Sequence, residues 1–148
     1  MLFWQQSQCV KKDSLGDEYM KVEKLIPEND LEVLLVHAQE NRVGVNDFIK
    51  AFLQSDVYAP SESEVMSDGS GMKPLLFEKD GVYMFSVFTG LSRVNVFSDK
   101  APYCLEIKGG ELLKRIPSDY GLVVNPGFDK GFDMPPSGLK KIIRDFSL

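Results

Sequence analysis

The sequence predicts an α+β domain that is built on one mixed β-sheet. Three observations lead to this prediction: amphipathic helical spacings near both ends of the domain, a hairpin signal in the middle, and short strands that alternate with short helical segments. Helices that accompany an antiparallel hairpin are typical of α+β domains. The length of 148 residues is also usual for one domain, which buries roughly 70% of the surface that its unfolded chain exposes.

Two regions are expected from the distribution of polar residues. Residues 1–24 are polar, mixed in charge and weakly periodic, so we interpret them as a flexible N-terminal arm that ends in a short strand at 19–22. Met20 in this arm is an alternative candidate for the start of translation. Residues 25–148 are expected to form the single domain.

An N-terminal αα-hairpin is predicted at the start of the domain. Asn29 is a good N-cap residue, and Glu32 lies three positions later, which is the spacing of a capping box. Apolar residues then recur at helical spacing in two runs, which are Leu31, Leu34, Leu35 and Ala38 and, after Gly44, Val45, Phe48, Ile49, Phe52 and Leu53. Two amphipathic helices joined by a few residues form such a hairpin.

The middle of the chain predicts a β-hairpin. Asp80-Gly81 lies between two apolar runs and favours a two-residue type I′ turn. Residues 82–88 are apolar on both faces apart from Ser86, which is typical of a central strand. The other predicted elements are strands at 57–59, 102–107 and 121–125, short crossover helices at 89–97 and 111–116, and a C-terminal helix after Pro135 and Pro136.

The charge disfavours two classes of partner. Acidic residues number 22 and basic residues 17, so the net charge is −5, and such a field repels nucleic acid and anionic membranes. The same charge suits a basic protein partner, although a modest negative charge more often serves solubility. No apolar run approaches the ~20 residues of a membrane span, and no signal-peptide pattern is present. We therefore expect a cytoplasmic protein, either a monomer or a weak homodimer.

The sequence contains few groups for catalysis or metal binding. His37 is the only histidine, and Cys9 and Cys104 are the only cysteines, so a four-ligand zinc site is incomplete. We therefore predict no metal, no cofactor and no enzymatic activity. The alternative is a cysteine-dependent enzyme with Cys104 as nucleophile and His37 as base, although a cysteine in the middle of a strand is more typical of a packed thiol.

Two loops supply the candidate binding residues. Residues 61–71 lack periodicity and are expected to form a mobile acidic loop, and residues 128–134 form a polar loop with two aromatic side chains. The candidate partner-binding residues are Glu62, Glu64, Asp68, Phe128, Asp129, Phe132 and Asp133. Aromatic residues on such a loop either pack under the sheet or anchor an interface, and both alternatives stay open. Before this loop, Pro126-Gly127 favours a type II turn.

Six segments in order resemble the N-terminal domain of the SseB family, which is named for a bacterial enhanced-serine-sensitivity protein. These segments are PENDLE at 27–32, FIKAFL at 48–53, VFT at 87–89, APY at 101–103, GGELL at 109–113 and LVVNPG at 122–127. The resemblance implies an α+β fold, a bacterial cytoplasmic setting and no established enzymatic activity. From the resemblance we also expect that the chain lacks the second, C-terminal domain of longer family members and has residues 1–24 in addition.

The expected function is therefore protein binding without catalysis. The resemblance adds a hint of two roles, because some related small proteins act in secretion or as toxin-neutralising partners. We expect either an immunity or inhibitor partner of a toxin or a secretion-related accessory protein, and the acidic loop suits a basic partner. A further alternative is a small-molecule sensor with a pocket near Thr89 and Asn125.

Overall fold

The computed structural model describes residues 9–11 and 22–148 of the chain. The helices are α1 (Asp30–Gln39), α2 (Val45–Gln54), α3 (Gly109–Arg115) and α4 (Pro136–Asp145), with a 3-10 helix at Leu91–Phe97. The strands are β1 (Cys9–Lys11), β2 (Asp56–Ser61), β3 (Leu76–Lys79), β4 (Val82–Val87), β5 (Tyr103–Lys108), β6 (Gly121–Val124) and β7 (Phe132–Met134). None of the helices in this part of the chain has the length and apolar composition that crossing a membrane requires.

The mixed sheet contains five strands in the order β1-β3-β4-β6-β7. β1 is parallel to β3 and β4 is parallel to β6, whereas the other two pairs are antiparallel. β2 and β5 form a separate antiparallel pair, which an isolated bridge between Tyr58 and Phe88 joins to the end of β4. The predicted α+β class, with its αα-hairpin and C-terminal helix, is confirmed.

The β-hairpin has the turn that the sequence predicts. Asp80 and Gly81 have φ values of 52° and 81°, so both central residues lie in the left-handed region that a type I′ turn requires. Lys79 and Val82 are therefore directly paired across the turn. This turn fixes the register of the whole hairpin, because a shift by one residue would exchange the two faces of each strand.

The five-stranded sheet separates two hydrophobic clusters. The larger cluster includes Leu35 of α1, Phe48 of α2 and Phe85 of β4. The smaller cluster lies on the other face, where Phe77 of β3 packs edge-to-face on Phe97 of the 3-10 helix with ring centroids 5.4 Å apart. β4 contributes to both clusters, as expected for a central strand.

The N-terminal region contains one strand that the sequence did not predict. Within the expected arm, Cys9–Lys11 pairs in parallel with Leu76, Phe77 and Glu78. The strand expected at 19–22 lies outside the described residues apart from Val22, which is in no strand, and Met20 lies outside them as well. The extent of the arm stays a prediction.

Candidate functional site

The N-terminus of α1 has the predicted cap with one difference. The side-chain Oδ1 of Asn29 accepts a hydrogen bond from the backbone N–H of Glu32 at 2.8 Å. The Glu32 carboxylate does not return to Asn29, as a capping box requires, but accepts from the backbone N–H of Glu28 at 2.9 Å. The Glu32 side chain is at the same time completely buried.

Glu32 is the anion of a buried ion pair. Its side chain is 0% exposed, and Arg93 of the 3-10 helix binds it with two hydrogen bonds, Nε to Oε2 at 3.0 Å and Nη2 to Oε1 at 2.7 Å. Thr89 adds a third side-chain donor, with Oγ1 at 2.7 Å from Oε2. Burial by itself raises the pKa of the Glu32 carboxyl, but the hydrogen bonds from Arg93, Thr89 and the Glu28 backbone and the charge of Arg93 outweigh burial. The pKa consequently lies below its ordinary value.

Thr89 and Asn125, the expected pocket residues, contact each other in the interior. The Thr89 N–H donates to Asn125 Oδ1 at 3.0 Å, and Asn125 Nδ2 donates to Thr89 Oγ1 at 2.9 Å. Both residues are 1% exposed. Asn125 has a φ of 56° and begins the turn at Pro126-Gly127, where the Phe128 N–H donates to the Asn125 carbonyl at 3.2 Å. Gly127 has a φ of 89°, as the predicted type II turn requires.

Thr89 and Asn125 line two different surface grooves rather than one pocket. The Thr89 groove has a volume of about 310 Å³, and its wall includes Asp30, Asp56 and Tyr58. The Asn125 groove has a volume of about 440 Å³ and includes Asp133. Because the polar atoms of Thr89 and Asn125 are bound to each other and to Glu32, these two side chains stabilise the junction between elements and have little capacity left for a ligand.

The segment 128–134 is only partly the loop that the sequence predicted, because Phe132–Met134 form strand β7 beside β6. Its two aromatic residues pack inward. Phe128 contacts Phe88 with ring centroids 6.4 Å apart and lies 5.3 Å beneath the guanidinium of Arg93. Phe132 packs edge-to-face on Phe48 at 5.3 Å. Of the two alternatives that the sequence left open, these contacts favour packing over interface anchoring.

The two acidic residues of the same loop bind other parts of the chain. Asp129 accepts the Leu25 N–H at 2.8 Å, and Asp133 forms an ion pair with Lys79 at 2.6 Å. Both carboxylates of this segment therefore already have partners within the chain, so they are less available to bind another protein.

The acidic loop is held by hydrogen bonds along its length, although mobility was expected from the sequence. Ser63 Oγ donates to the Gly71 carbonyl at 2.6 Å and closes the base of the loop. At the tip, Asp68 Oδ1 accepts from both the backbone N–H and the hydroxyl of Ser70, at 2.9 and 2.7 Å. These two bonds lower the pKa of the exposed Asp68 carboxyl. Arg115 donates to the Asp68 carbonyl at 2.8 Å and ties the tip to α3.

Cys104 and His37 lie on different elements, β5 and α1, and no hydrogen bond within residues 22–148 joins them. Burial raises the pKa of the Cys104 thiol, and the negative charge of Glu106 raises it further. The thiol therefore lacks the environment that stabilises a thiolate. In the same part of the chain, no group of three or more His, Cys, Asp and Glu residues is arranged to hold a metal ion.

The central role of Glu32 and Arg93 was missed from the sequence. Glu32 directly follows Leu31 and lies at the edge of the apolar stripe of α1, so helical spacing alone does not indicate that its carboxylate is buried. Arg93 lies between Leu91 and Val94 in the short helix predicted at 89–97, and no feature of this pattern indicates a buried arginine, although Val94 and Phe97 are buried.

The fold and these sites define a small α+β protein whose buried polar side chains bind one another at the junction of α1, the 3-10 helix and the turn after β6. The chain belongs to the SseB family: the model of the SseB protein N-terminal domain matches residues 31–141. The resemblance that the sequence segments indicated is thereby confirmed. No curated protein and no solved structure gives a significant match.

We expect stability to fall in acid through Glu32. Because its folded-state pKa is lowered, its contribution is fully present above the unfolded-state pKa, near the ordinary value of 4.5, and is lost as the pH falls through the folded-state pKa. Urea denaturation across this range measures the slope of the unfolding free energy against pH. Glu32→Gln is expected to flatten that slope, and the exposed Glu111→Gln to change it much less. Equal slopes for both variants would contradict the role of Glu32.

Proposed function

We propose that the chain is a non-enzymatic, cytoplasmic protein-binding module, and that the acidic loop of residues 61–71 is its contact surface. The observation that carries this proposal is the exposed tip of the loop. Met66 is 58% exposed, and the exposed residues Glu64 and Asp68 flank it two positions away on either side. Methionine is an adaptable apolar contact residue, and carboxylates beside it favour a partner with basic groups around an apolar depression.

The hydrogen bonds of the loop support this proposal because they fix the conformation before binding. Met66 donates its N–H to the Ser70 carbonyl at 2.9 Å, and Gly69 donates to the Met66 carbonyl at 2.9 Å. A loop that is already ordered loses less conformational entropy when it binds. The tip thus presents Met66 from a narrow, closed turn.

The charge of the chain supports a basic partner. The net charge of −5 accelerates the approach of a cationic protein through long-range attraction. A toxin that binds nucleic acid has such a surface, so the biological roles that we propose are an immunity or inhibitor protein and, second to it, a secretion-related accessory protein. The free Cys104 thiol agrees with a reducing compartment such as the cytoplasm.

The enzymatic alternative has less support. A cysteine nucleophile acts as a thiolate, and the surroundings of Cys104 favour the protonated thiol. The sensor alternative is weakened because Thr89 and Asn125 bind each other.

The experiment is affinity purification from host cells with matched surface variants. We expect the wild-type chain to retain one stoichiometric protein at near-physiological salt. Met66→Ser and Glu64→Lys are expected to reduce its recovery about tenfold or more, because truncation of an interface anchor typically costs ~2 kcal/mol. Val45→Ser is the control, since Val45 is 61% exposed on α2. A partner that Met66→Ser retains as well as the wild type, or repeated recovery of the chain alone, would contradict the proposal.

A further inference from the structure

The outer edge of β5 is a strand edge with no partner among the described residues. β5 pairs with β2 along all six of its residues, from Tyr103 opposite Ser61 to Lys108 opposite Asp56, without a bulge. In the described part of the chain no strand lies on its other side. The edge strands of the five-stranded sheet, β1 and β7, have only three residues each, and the outer side of β2 is occupied in part by bridges to Phe88 and Pro74. A two-stranded ribbon is marginally stable by itself, and a third strand stabilises it.

The backbone groups that face outward are fixed by the hydrogen bonds at the end of β5. Gly109 donates its N–H to the Ser55 carbonyl at 3.0 Å, and bonded pairs alternate along an antiparallel ladder. The amides of Leu105 and Ile107 therefore face β2, whereas those of Cys104, Glu106 and Lys108 face outward. Tyr58, opposite Glu106, agrees with this assignment, because its N–H and carbonyl both bind Phe88 instead of β5.

We propose that β5 pairs with β5 of a second copy of this chain in an antiparallel arrangement. Directly opposite residues share a face of a sheet, so a two-fold arrangement must be centred on a residue of β5. Centring on Leu105 or on Glu106 gives the largest overlap, five of the six residues. With Leu105 at the centre, Tyr103–Ile107 overlap and Cys104 lies opposite the partner's Glu106. Centring on Glu106 would place two carboxylates opposite each other, which is destabilising. Leu105 is therefore the centre.

The side chains at this edge fit the same register. Tyr103 is 45% exposed and lies opposite the partner's Ile107, which is half-buried in each copy. An aromatic residue opposite a β-branched residue is a favourable cross-strand pair. The result is a continuous four-stranded sheet, β2-β5 of one copy joined to β5-β2 of the other.

The experiment removes one outward amide. Glu106→Pro deletes an N–H that faces away from β2, and proline is tolerated at such an edge position. Glu106→Ala is the matched control, because it removes the same side chain and keeps the N–H. Sedimentation equilibrium from about 10 µM to about 1 mM is expected to show a reversible dimer for the wild type and Glu106→Ala. The dimer dissociation constant of Glu106→Pro is expected to be at least about tenfold higher, because two hydrogen bonds are lost per dimer.

Three outcomes would overturn the inference. They are a wild-type chain that stays monomeric throughout the range, equal dimerisation of the proline and alanine variants, and a wrong register in a cross-linking test.

The cross-linking test uses the Glu106→Cys variant in a Cys9→Ser background. The protein is treated with oxidised glutathione, and its disulfide-linked peptides are mapped. We expect position 106 to link to the partner's Cys104, whereas a link from Cys104 to the partner's Cys104 would contradict the register. This inference does not depend on the acidic loop, whose variants leave β5 unchanged.

Discussion

Replacement of Arg93 by methionine is expected to lower the free energy of unfolding by about 3–5 kcal/mol, the range found when one partner of a buried ion pair is removed. The Glu32 carboxylate is completely buried and would keep only the Thr89 hydroxyl and the Glu28 amide as donors. Arg93 also donates to the Ile26 carbonyl at 2.5 Å and covers the Phe128 ring, so three connections are lost together. Urea denaturation at neutral pH measures the loss.

The control for this prediction is an exposed arginine. Arg42 pairs with Glu40 at 3.3 Å on the surface, and Arg42→Met is expected to cost less than ~1 kcal/mol. A Glu32→Met and Arg93→Met double variant is expected to be more stable than Arg93→Met alone, because no unpaired charge stays buried. Equal losses in Arg93→Met and Arg42→Met would show that the ion pair does not hold this junction together.

Gly109→Ala is expected to lower the free energy of unfolding by about 1–3 kcal/mol through overpacking. A Cβ at this position would lie 2.1 Å from the backbone carbonyl oxygen of Phe52 and 2.9 Å from its ring. The first residue of α3 therefore packs directly on the backbone of α2, and only glycine fits without movement of one helix.

The neighbouring glycine provides the matched control for Gly109. A Cβ at Gly110 would lie 3.2 Å from the Leu53 carbonyl, a contact that a small shift relieves, and alanine favours the helix by roughly 1 kcal/mol. Gly110→Ala is accordingly expected to change stability little. If thermal or urea unfolding places the two alanine variants at the same stability, the close approach of α3 to α2 is not a constraint on the fold.

The features that sequence analysis predicted correctly depend on neighbours in the chain. Asp80-Gly81 determines its turn through the backbone preferences of two adjacent residues. Asn29 caps α1 through the amide of Glu32, three positions later. The spacing of Leu31 and Leu35 identifies the buried side of α1, because helical periodicity is local as well.

The features that were missed depend on contacts between distant residues. Arg93 and Glu32 are 61 positions apart, and Thr89 and Asn125 are 36 positions apart. A local sequence pattern does not predict which distant residue a side chain contacts. Glu32 was therefore interpreted only as part of the helix cap. The inward packing of Phe128 has the same origin, since its partners Phe88 and Arg93 come from another part of the chain.

The acidic loop was predicted to bind a partner from its amino-acid composition alone. Composition identified the exposed carboxylates Glu64 and Asp68 but gave no indication of the hydrogen bonds that close the loop. It also drew no attention to Met66, because an isolated methionine in a polar segment has no periodic signal. The exposure of Met66 at the tip of the loop follows from the three-dimensional structure and not from the sequence.

Site-specific photocross-linking in host cells tests the central claim of protein binding at this tip most directly. A photoreactive phenylalanine analogue replaces Met66 in one chain and Val45 in another, since both positions are well exposed. We expect position 66 to cross-link one discrete protein with a basic surface and position 45 to give no such product. Absence of a product at position 66, or the same products at both positions, would contradict the claim.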